Sequence, residues 1–314
     1  MKIVTFDDII KLNIDPVTCF QWVEETIKNK EKATLPPKIS LQPKEGVFCN
    51  VMPCFLNSSW GGVKVVNRYP ERKPSLDSKI LLLNMESGEF LALMDGNWIT
   101  AMRTGAVAAH SILKLARREF STIAMLGLGN TARATLLVLA SLIGDKKIHV
   151  KLLKYKEQEK AFVERFANHP NLEFSYIETQ EEVIKGSEVV VSCVTHFQKD
   201  ICSDDCFDEG VLVVPVHTRG FTNCDLFFDK VYADDYGHVH HFQNFEKFKY
   251  FAEIQELVKG RARGRESDTE RILAYNIGLA IHDINYAAHI YQMIIQEGNI
   301  MNLKLGEPIE KFWI

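Results

Sequence analysis

The sequence lacks the long apolar runs of a membrane protein. Nowhere in its 314 residues does a run approach about 18 consecutive apolar positions, the length of a membrane-spanning helix. It also lacks a charge excess, because 37 lysines and arginines stand against 41 aspartates and glutamates. General nucleic-acid binders and membrane-surface binders carry a strong basic excess, so we expect neither kind of partner.

Internal repeats and low-complexity segments are also missing. The composition is that of an ordinary globular chain, with 46% hydrophobic and 25% charged residues. Disordered, collagen-like and coiled-coil proteins are therefore excluded. The length predicts about two domains, each able to bury a core of its own.

The cysteines do not suggest a disulfide framework. Seven cysteines, an odd number, are scattered over the whole chain. Residues 1–12 contain acidic side chains where a secretory signal needs an uninterrupted apolar stretch. Together these features predict a protein of the reducing cytoplasm.

A metal site is not expected either. The cluster His238, His240 and His241, with Cys202 and Cys206 upstream, contains the right residue types. The C-x-x-C and H-E-x-x-H spacings of zinc sites do not occur, however. We therefore interpret the histidine cluster as a surface loop.

The N-terminal third combines a helix with short strands. An N-cap aspartate followed by proline, Asp15-Pro16, predicts the start of a helix. Residues 39–94 predict strands, with a hairpin turn at Ser87-Gly88. Residues 98–116 predict a helix rich in small side chains, which permit close approach to a neighbouring element or to a ligand.

From Ser121 onward, strands and helices alternate. This pattern predicts parallel βαβ units with right-handed crossovers, that is, a doubly wound Rossmann-type sheet covered on both faces. A long final helix is predicted at about 268–296. The predicted strands are Thr122–Leu126, 149–153, Leu172–Ile177, 188–193, 211–216 and Lys230–Ala233.

The turn after the first of these strands has the G-x-G-x-x-G/A pattern of a dinucleotide site. Its residues are Gly127, Leu128, Gly129, Asn130, Thr131 and Ala132. Gly127 permits the tight turn, Gly129 lets the backbone approach a pyrophosphate, and Ala132 keeps the helix close to the strand. The start of the helix offers free N–H groups to phosphate. A plain strand–turn–helix corner is the alternative.

The end of the next strand indicates which dinucleotide binds. NAD sites commonly place an acid there to bind the ribose 2′-hydroxyl. Here Lys154, Tyr155 and Lys156 precede the first acid, Glu157. The two lysines suit a 2′-phosphate and Tyr155 suits adenine stacking, so we predict NADP(H) rather than NAD(H). A solvated basic corner is the alternative.

Seven segments, in order along nearly the whole chain, share one pattern: 52–53, 61–66, 86–96, 100–106, the glycine turn 127–132, 264–265 and 277–283. Together they resemble the ornithine cyclodeaminase/μ-crystallin family. The resemblance implies a Rossmann domain inserted in an α/β substrate-binding domain, and a homodimer. We expect the substrate-binding and dimerisation domain at 1–116 plus about 290–314, and the NAD(P)-binding domain at about 117–289.

The resemblance also implies the chemistry, which is hydride exchange between a nicotinamide ring and an amino-acid Cα through an imine. It assigns the binding of the substrate carboxylate to Lys38, Lys64 and Arg103, although the first position is usually arginine. Cofactor contacts are expected at Thr104 and, on the nicotinamide side, at Val194 and Thr195.

The residues themselves support two of these cations. A lysine inside the apolar strand around Lys64 is costly to bury unless it meets an anion. Arg103 lies among side chains small enough to admit a ligand. The alternatives are an edge-strand lysine that reaches water and an arginine in a structural salt bridge. Lys64 is also a candidate to activate water for imine hydrolysis if neighbouring cations depress its pKa.

One position departs from the family. Where the family usually has a catalytic aspartate after the fifth strand, this chain has His217. The ordinary pKa of histidine, about 6.5, suits proton transfer near neutrality. We therefore predict that His217 is a catalytic acid/base and that Arg219 binds a second substrate carboxylate. A loop histidine bonded to backbone is the alternative.

The sequence thus predicts an NAD(P)-dependent oxidoreductase that transfers hydride between a nicotinamide cofactor and the Cα of an amino or imino acid. Its expected partners are this small substrate and a second copy of the chain. Two alternatives stay open: an ornithine cyclodeaminase with a recycled cofactor, and a non-catalytic NADP(H)-dependent small-ligand-binding protein resembling μ-crystallin.

Overall fold

A computed structural model describes residues 1–194, 201–216, 226–298, 300–306 and 310–312. The chain divides into two units, each with its own sheet. The first unit comprises Met1–Asn13, Lys32–Ile99 and Asp283–Ile314, and the second comprises Ile14–Glu31 and Thr100–His282. The sheet of the second unit is therefore inserted in the chain of the first.

The sheet of the first unit is mainly antiparallel. Its described strands are β1 (Lys2–Val4), β2 (Ile39–Lys44), β3 (Val47–Phe55), β4 (Trp60–Arg68), β5 (Leu76–Asn84) and β6 (Phe90–Asp95). They lie in the order β1-β6-β5-β4-β3-β2, and only β1 and β6 pair in parallel. The predicted hairpin at Ser87-Gly88 is confirmed between β5 and β6, where Gly88 has a φ of 75°.

One face of this sheet is covered. Alternate side chains point to the same face, so the cross-strand row Met52, Lys64, Ile80 and Met94 lies together, and all four residues are buried. The final helix, α9 (Ala280–Glu297), lies along this face through its residues in the first unit. A Cβ atom on Gly62 of β4 would be 3.0 Å from Cδ1 of Ile284, so glycine lets the helix approach the strand.

The opposite face of the same strands is open. Its central cross-strand row consists of Pro53, Val63, Leu81 and Leu93. All four side chains are at least partly exposed, although none is charged. An antiparallel sheet usually puts polar residues on a face that meets water. This apolar row, hereafter the open face, is therefore a candidate contact surface.

The sheet of the second unit is parallel throughout. Its described strands are β7 (Thr122–Leu126), β8 (Ile148–Leu153), β9 (Leu172–Ile177), β10 (Val189–Ser192), β11 (Leu212–Pro215), β12 (Lys230–Ala233), β13 (Phe251–Glu253) and β14 (Ile272–Tyr275). They lie in the order β13-β12-β14-β11-β10-β7-β8-β9. Residues of β7, β10 and β11 are almost entirely buried, which confirms the Rossmann-type sheet.

Helices connect these strands, as the alternating pattern predicts. Those described in the second unit or entering it are α2 (Pro16–Asn29), α3 (Asn97–Leu115), α4 (Asn130–Leu142), α5 (Gln158–Arg165), α6 (Gln180–Ile184), α7 (Tyr236–Val239) and α8 (Ile254–Val258). The predicted start of α2 is confirmed. Asp15 is the N-cap, its Oδ1 atom accepts a 2.6 Å hydrogen bond from the backbone N–H of Val17, and Pro16 is the first helical residue. Across the described residues, no helix combines the length and apolar character needed to cross a membrane.

The predicted final helix at 268–296 is wrong in its first part. Ile272–Tyr275 form strand β14, which lies between β11 and β12, and all four residues are buried. The helix itself begins at Ala280. A short apolar run that is buried on both faces has no polar side, so its periodicity does not separate strand from helix. Strand β13 is not predicted from the sequence, and neither is a short helix, α1 (Phe6–Lys11), which has a capping box at Thr5.

The predicted fold class, a Rossmann-type domain inserted in an α/β domain, is confirmed. The roles assigned to the segments stay predictions: substrate binding and dimerisation for 1–116 with about 290–314, and cofactor binding for about 117–289.

Candidate active site

Lys64 lies in the interior of the first unit. Strand β4 runs between β3 and β5, so Lys64 is not on an edge strand and does not reach water. Its relative exposure is 0%. An ammonium group buried in this way requires an anion, as the sequence predicted.

The anion is Asp283, at the start of helix α9 in the same unit. Nζ of Lys64 lies 2.8 Å from Oδ1 of Asp283, and both side chains have 0% exposure. The pair enters the interior without net charge, which removes much of the cost of burying the lysine. Asp283 lies within the family segment 277–283, but its sequence context predicts no role for it. The available signal was a single acid in a helical turn that also contains the apolar residues Ile281 and Ile284.

Cys54, on β3, lies near this ion pair. It faces Gly62 of β4, two residues from Lys64 along the strand. Burial raises the pKa of the Cys54 thiol to about 12, and the negative charge of Asp283 adds to the effect. The thiol is therefore neutral at physiological pH and does not compete with a substrate anion for the lysine.

Lys38, the third predicted cation, precedes β2 in the first unit and is partly exposed. It thus differs from Lys64 in its access to water.

The predicted phosphate corner in the second unit joins β7 to α4. Gly127 has a φ of 81°, and a Cβ atom there would lie 2.9 Å from the carbonyl carbon of Cys193. Only glycine fits this position, because the turn is left-handed and the neighbouring strand is close. Gly129 is the N-cap of α4 and has open space where a side chain would be.

The start of α4 suits an anion. No side chain caps it, and its first turn contains no acid. Asn130 is exposed, Thr131 is partly exposed and Ala132 is buried. The free N–H groups of the first turn and the helix dipole favour a phosphate there. The residues present therefore fit the pyrophosphate of a dinucleotide.

The structure brings most other predicted cofactor residues to the same edge of the sheet. Strand β7 pairs with β10 on one side and with β8 on the other. Val194 follows β10, and the segment Lys154-Tyr155-Lys156 follows β8. The carboxyl ends of three adjacent parallel strands thus carry the predicted site, at a point where the strand order reverses.

The basic residues after β8 already have partners. Lys154 Nζ forms an ion pair with Glu178 Oε1 at 2.5 Å, and this bond raises the pKa of Lys154. Lys156 Nζ lies 5.0 Å from the centre of the Tyr155 ring. Lys156 and Glu157 have φ values of 50° and 57°, so the chain turns sharply through two left-handed residues.

Arg103 and Thr104 lie on helix α3. Arg103 is 5% exposed, and the Thr104 hydroxyl donates to the Thr100 carbonyl at 2.6 Å. The next residue is Gly105, where a Cβ atom would come within 2.5 Å of the Ala134 backbone. Gly105, the residue after Thr104, therefore permits close contact between helix α3 and helix α4, which starts at the phosphate corner.

Thr195, His217 and Arg219 lie outside the described residues. Their predicted roles, a nicotinamide contact, an acid/base and a second carboxylate contact, stay predictions.

The pattern of the ornithine cyclodeaminase/mu-crystallin family matches residues 3–298. The chain belongs to this family. The resemblance found in the glycine corner, the strand around Lys64 and the helix around Arg103 is thereby confirmed at the level of the family.

Several relatives are named as dehydrogenases or reductases. An N-((2S)-2-amino-2-carboxyethyl)-L-glutamate dehydrogenase of Staphylococcus aureus is 28% identical over 273 residues, which cover 78% of this chain and 76% of that protein. A Delta(1)-pyrroline-2-carboxylate reductase of Bacillus cereus is 26% identical over 272 residues, covering 79% and 80%. An archaeal alanine dehydrogenase dimer, solved with bound NAD, is 25% identical with a TM-score of 0.85 and covers 98% of this chain and 99% of its own.

Proposed function

We propose that this protein is an NAD(P)-dependent oxidoreductase that transfers hydride between a nicotinamide cofactor and the Cα of an amino or imino acid. The observation that carries the proposal is the β7–α4 corner, where Gly127 and Gly129 leave room for a dinucleotide beside an uncapped helix start. Family relatives named as dehydrogenases and reductases of amino and imino acids support it.

The chain's own residues would bind and orient the substrate. Lys64 and Arg103, with Lys38, would bind the substrate carboxylate, as the family resemblance implies. The planar guanidinium of Arg103 suits a two-point contact, and the Lys64 ammonium supplies a point charge. When bound, the nicotinamide ring donates or accepts the hydride at its C4 atom. Holding the carboxylate in place would orient Cα for this transfer.

His217 would hold or release the proton at the substrate nitrogen, and Arg219 would contact a second carboxylate. These two roles rest on the sequence alone. The ordinary pKa of histidine near 6.5 supports the first role, since the group then exists in both protonation states near neutrality.

For the cofactor we propose NADP(H). No acid occupies the end of β8, and two lysines stand in its place. The Glu178 carboxylate that pairs with Lys154 is 70% exposed, so water and a phosphate can displace it readily. The two left-handed residues at this turn are strained, and strain of this kind concentrates at binding sites.

We also propose a homodimer that covers the open face of the first unit. The apolar row Pro53, Val63, Leu81 and Leu93 is at least partly exposed and lies in the centre of the sheet. A second copy of the same chain would remove this surface from water. The archaeal alanine dehydrogenase of the same fold is a dimer, which supports this choice of partner.

A cytoplasmic location is proposed as well. No disulfide joins any two of the six described cysteines, which are Cys19, Cys49, Cys54, Cys193, Cys202 and Cys206. Free thiols persist in a reducing compartment.

The test is a turnover assay with purified protein, in which reduced nicotinamide is followed by its absorbance. We expect NAD(P)H to be consumed with Δ1-pyrroline-2-carboxylate or another imino acid, or to be formed with L-alanine or L-proline. Ammonia release from ornithine without net cofactor change would favour the cyclodeaminase alternative. Tight cofactor retention without any turnover would favour the small-ligand-binding alternative. Either result would contradict the proposed oxidoreductase.

A pair of variants locates the substrate contact. Lys64→Ala should abolish the thermal shift caused by substrate but keep the shift caused by cofactor. Lys79→Ala is the matched control, because Lys79 lies on the adjacent strand β5, is about half exposed and pairs with Asp77 at 2.7 Å. An unchanged substrate shift in Lys64→Ala would exclude Lys64 from the carboxylate site.

A further inference from the structure

Gly278, in the turn between β14 and α9, has a backbone that other residues cannot easily adopt. Its φ is 96°, which favours glycine. Its N–H donates a 2.6 Å hydrogen bond to Oδ2 of Asp234, and the bond is buried. The position of this turn is therefore set by an aspartate from another part of the second unit.

The missing side chain of Gly278 makes room for the guanidinium of Arg103. A Cβ atom at position 278 would lie 2.9 Å from Nη1, 3.4 Å from Nη2 and 3.6 Å from Cζ. Ordinary van der Waals contact of a Cβ atom begins at about 3.4 Å. The three distances show that the guanidinium lies directly against the bare Cα of Gly278, and the backbone of the turn thus limits where it can be.

Asp234, which orients this turn, is itself held firmly. It follows strand β12 and is 7% exposed. Its backbone carbonyl accepts from Nζ of Lys30 at 2.8 Å, and the same ammonium pairs with Asp235 at 2.7 Å and Glu253 at 2.9 Å. The whole arrangement belongs to the second unit.

The carboxylate of Asp234 is the right acceptor for this role. Burial raises the pKa of Asp234, but the His238 side chain and the Gly278 N–H outweigh burial and hold the pKa below its ordinary value. An ionised carboxylate forms a stronger bond to a backbone N–H than a neutral group does.

We propose that Asp234 and Gly278 are positioning residues that fix the guanidinium of Arg103 for the substrate carboxylate. This proposal rests on the function proposed above for Arg103. A two-point contact between guanidinium and carboxylate depends on the orientation of the planar group. A displacement of about 1 Å at a substrate-orienting group can reduce the rate about 100-fold.

The principal test compares two glycine variants by steady-state kinetics. Gly278→Ala adds a methyl group against the Arg103 guanidinium, so we expect KM for the carboxylate substrate to rise at least about tenfold. The expected change in kcat is smaller, and the Kd of the dinucleotide should stay unchanged, because the phosphate corner is untouched. A general loss of structure would also raise the Kd of the dinucleotide. A rise in KM with an unchanged Kd therefore indicates a local effect at the substrate site.

Gly186→Ala is the matched control. Gly186 lies in the same unit, has a φ of 72°, and its N–H also donates to an aspartate, Asp208, at 3.0 Å. A Cβ atom there meets no other atom within 4 Å. The control therefore carries similar backbone strain without touching Arg103, and its KM should equal that of the wild type.

A second pair of variants tests the aspartate. Asp234→Ala removes the acceptor for Gly278 N–H and should raise KM in the same way. Asp234→Asn keeps an acceptor oxygen at the same place, so it should restore most of the wild-type KM. Equal effects of Ala and Asn would overturn the role of the hydrogen bond.

Crystal structures of the wild type and of Gly278→Ala separate this proposal from the proposed function. We expect the Arg103 guanidinium to be displaced in the variant. An undisplaced guanidinium, or a KM equal to that of Gly186→Ala, would overturn the proposal. A displaced guanidinium in a protein that turns over no amino or imino acid would uphold the positioning of Arg103 and overturn the proposed function.

Discussion

The change Asp283→Asn removes the charge that faces Lys64 and keeps the shape of the side chain. The two groups are 2.8 Å apart and neither is exposed. At this distance, with an effective dielectric constant of about 20, their attraction is about 6 kcal/mol. The loss of hydration of two buried ions offsets much of this attraction, so the intact pair contributes little net stability.

Breaking the pair should destabilise the protein, because it leaves the buried ammonium of Lys64 without the Asp283 carboxylate. Removal of one partner of a buried pair costs about 3–5 kcal/mol. An unfolding entropy of about 2.1 cal/mol/K per residue gives about 0.66 kcal/mol/K for a chain of this length. We therefore expect Asp283→Asn to lower Tm by about 5–8 °C.

The control and the rescue both lie in the first unit. Lys79→Met breaks ion pairs of similar length, 2.7 Å to Asp77 and 3.0 Å to Asp95, but Lys79 is 49% exposed. Its loss should cost less than about 1 kcal/mol. The double change Lys64→Met with Asp283→Leu replaces both charges by apolar groups and should recover most of the wild-type Tm.

Differential scanning calorimetry measures all four proteins. A Tm of Asp283→Asn within about 1 °C of the wild type would refute the buried pair. So would a double variant no more stable than the single one, since the cost would then come from packing and not from the unpaired charge.

Three further predictions concern the cofactor, pH and assembly. In fluorescence titrations, Lys154→Ala should weaken the binding of NADPH roughly tenfold and leave the binding of NADH unchanged. Glu178→Gln, which removes the carboxylate partner of Lys154, should tighten the binding of NADPH a few-fold. Equal effects on both cofactors would contradict the 2′-phosphate contact. Burial lowers the pKa of His110 in the folded protein. Below about pH 6.5 the unfolded chain therefore binds a proton at His110 that the folded chain does not bind. The free energy of unfolding should then fall by up to about 1.4 kcal/mol for each pH unit below that value. Urea unfolding of His110→Phe should lack this slope, and an unchanged slope would assign it to other groups. In analytical ultracentrifugation, Leu81→Glu on the open face should sediment as a monomer, because it puts a charge into the proposed contact. Leu113→Glu, at an exposed residue of α3, is the control and should stay dimeric. A dimeric Leu81→Glu variant would place the dimer contact elsewhere.

Much of the second unit could be predicted from the sequence because its signals are local. The bounds of strands Thr122–Leu126, Leu172–Ile177 and Lys230–Ala233 agree with the structure, since each is a short strand-forming run next to turn residues. The glycine corner is equally local, because the turn, the N-cap and the helix start lie within six residues. The same reasoning gave a wrong prediction at Ile272–Tyr275. This strand is buried on both faces, so its residues do not alternate between apolar and polar.

The site was less predictable because its contacts are distant in sequence. The partner of Lys64 is 219 residues away, and nothing near Lys64 identifies it. The need for an anion could be inferred from burial of a lysine, but its identity could not. The contact between Gly278 and Arg103 could not be predicted either. The reason for a glycine at position 278 becomes clear only when the structure shows the guanidinium beside it.

Hydride transfer from nicotinamide C4 to Cα can be followed with an isotope label. NAD(P)H carrying deuterium at nicotinamide C4, on one face or the other, is incubated with the enzyme and Δ1-pyrroline-2-carboxylate. We predict that one of the two labelled cofactors delivers its deuterium to Cα of the product proline, as read by mass spectrometry and NMR. Product with solvent hydrogen at Cα from both labelled cofactors would contradict hydride transfer to Cα. Bound cofactor without any product across a panel of imino acids would contradict it as well.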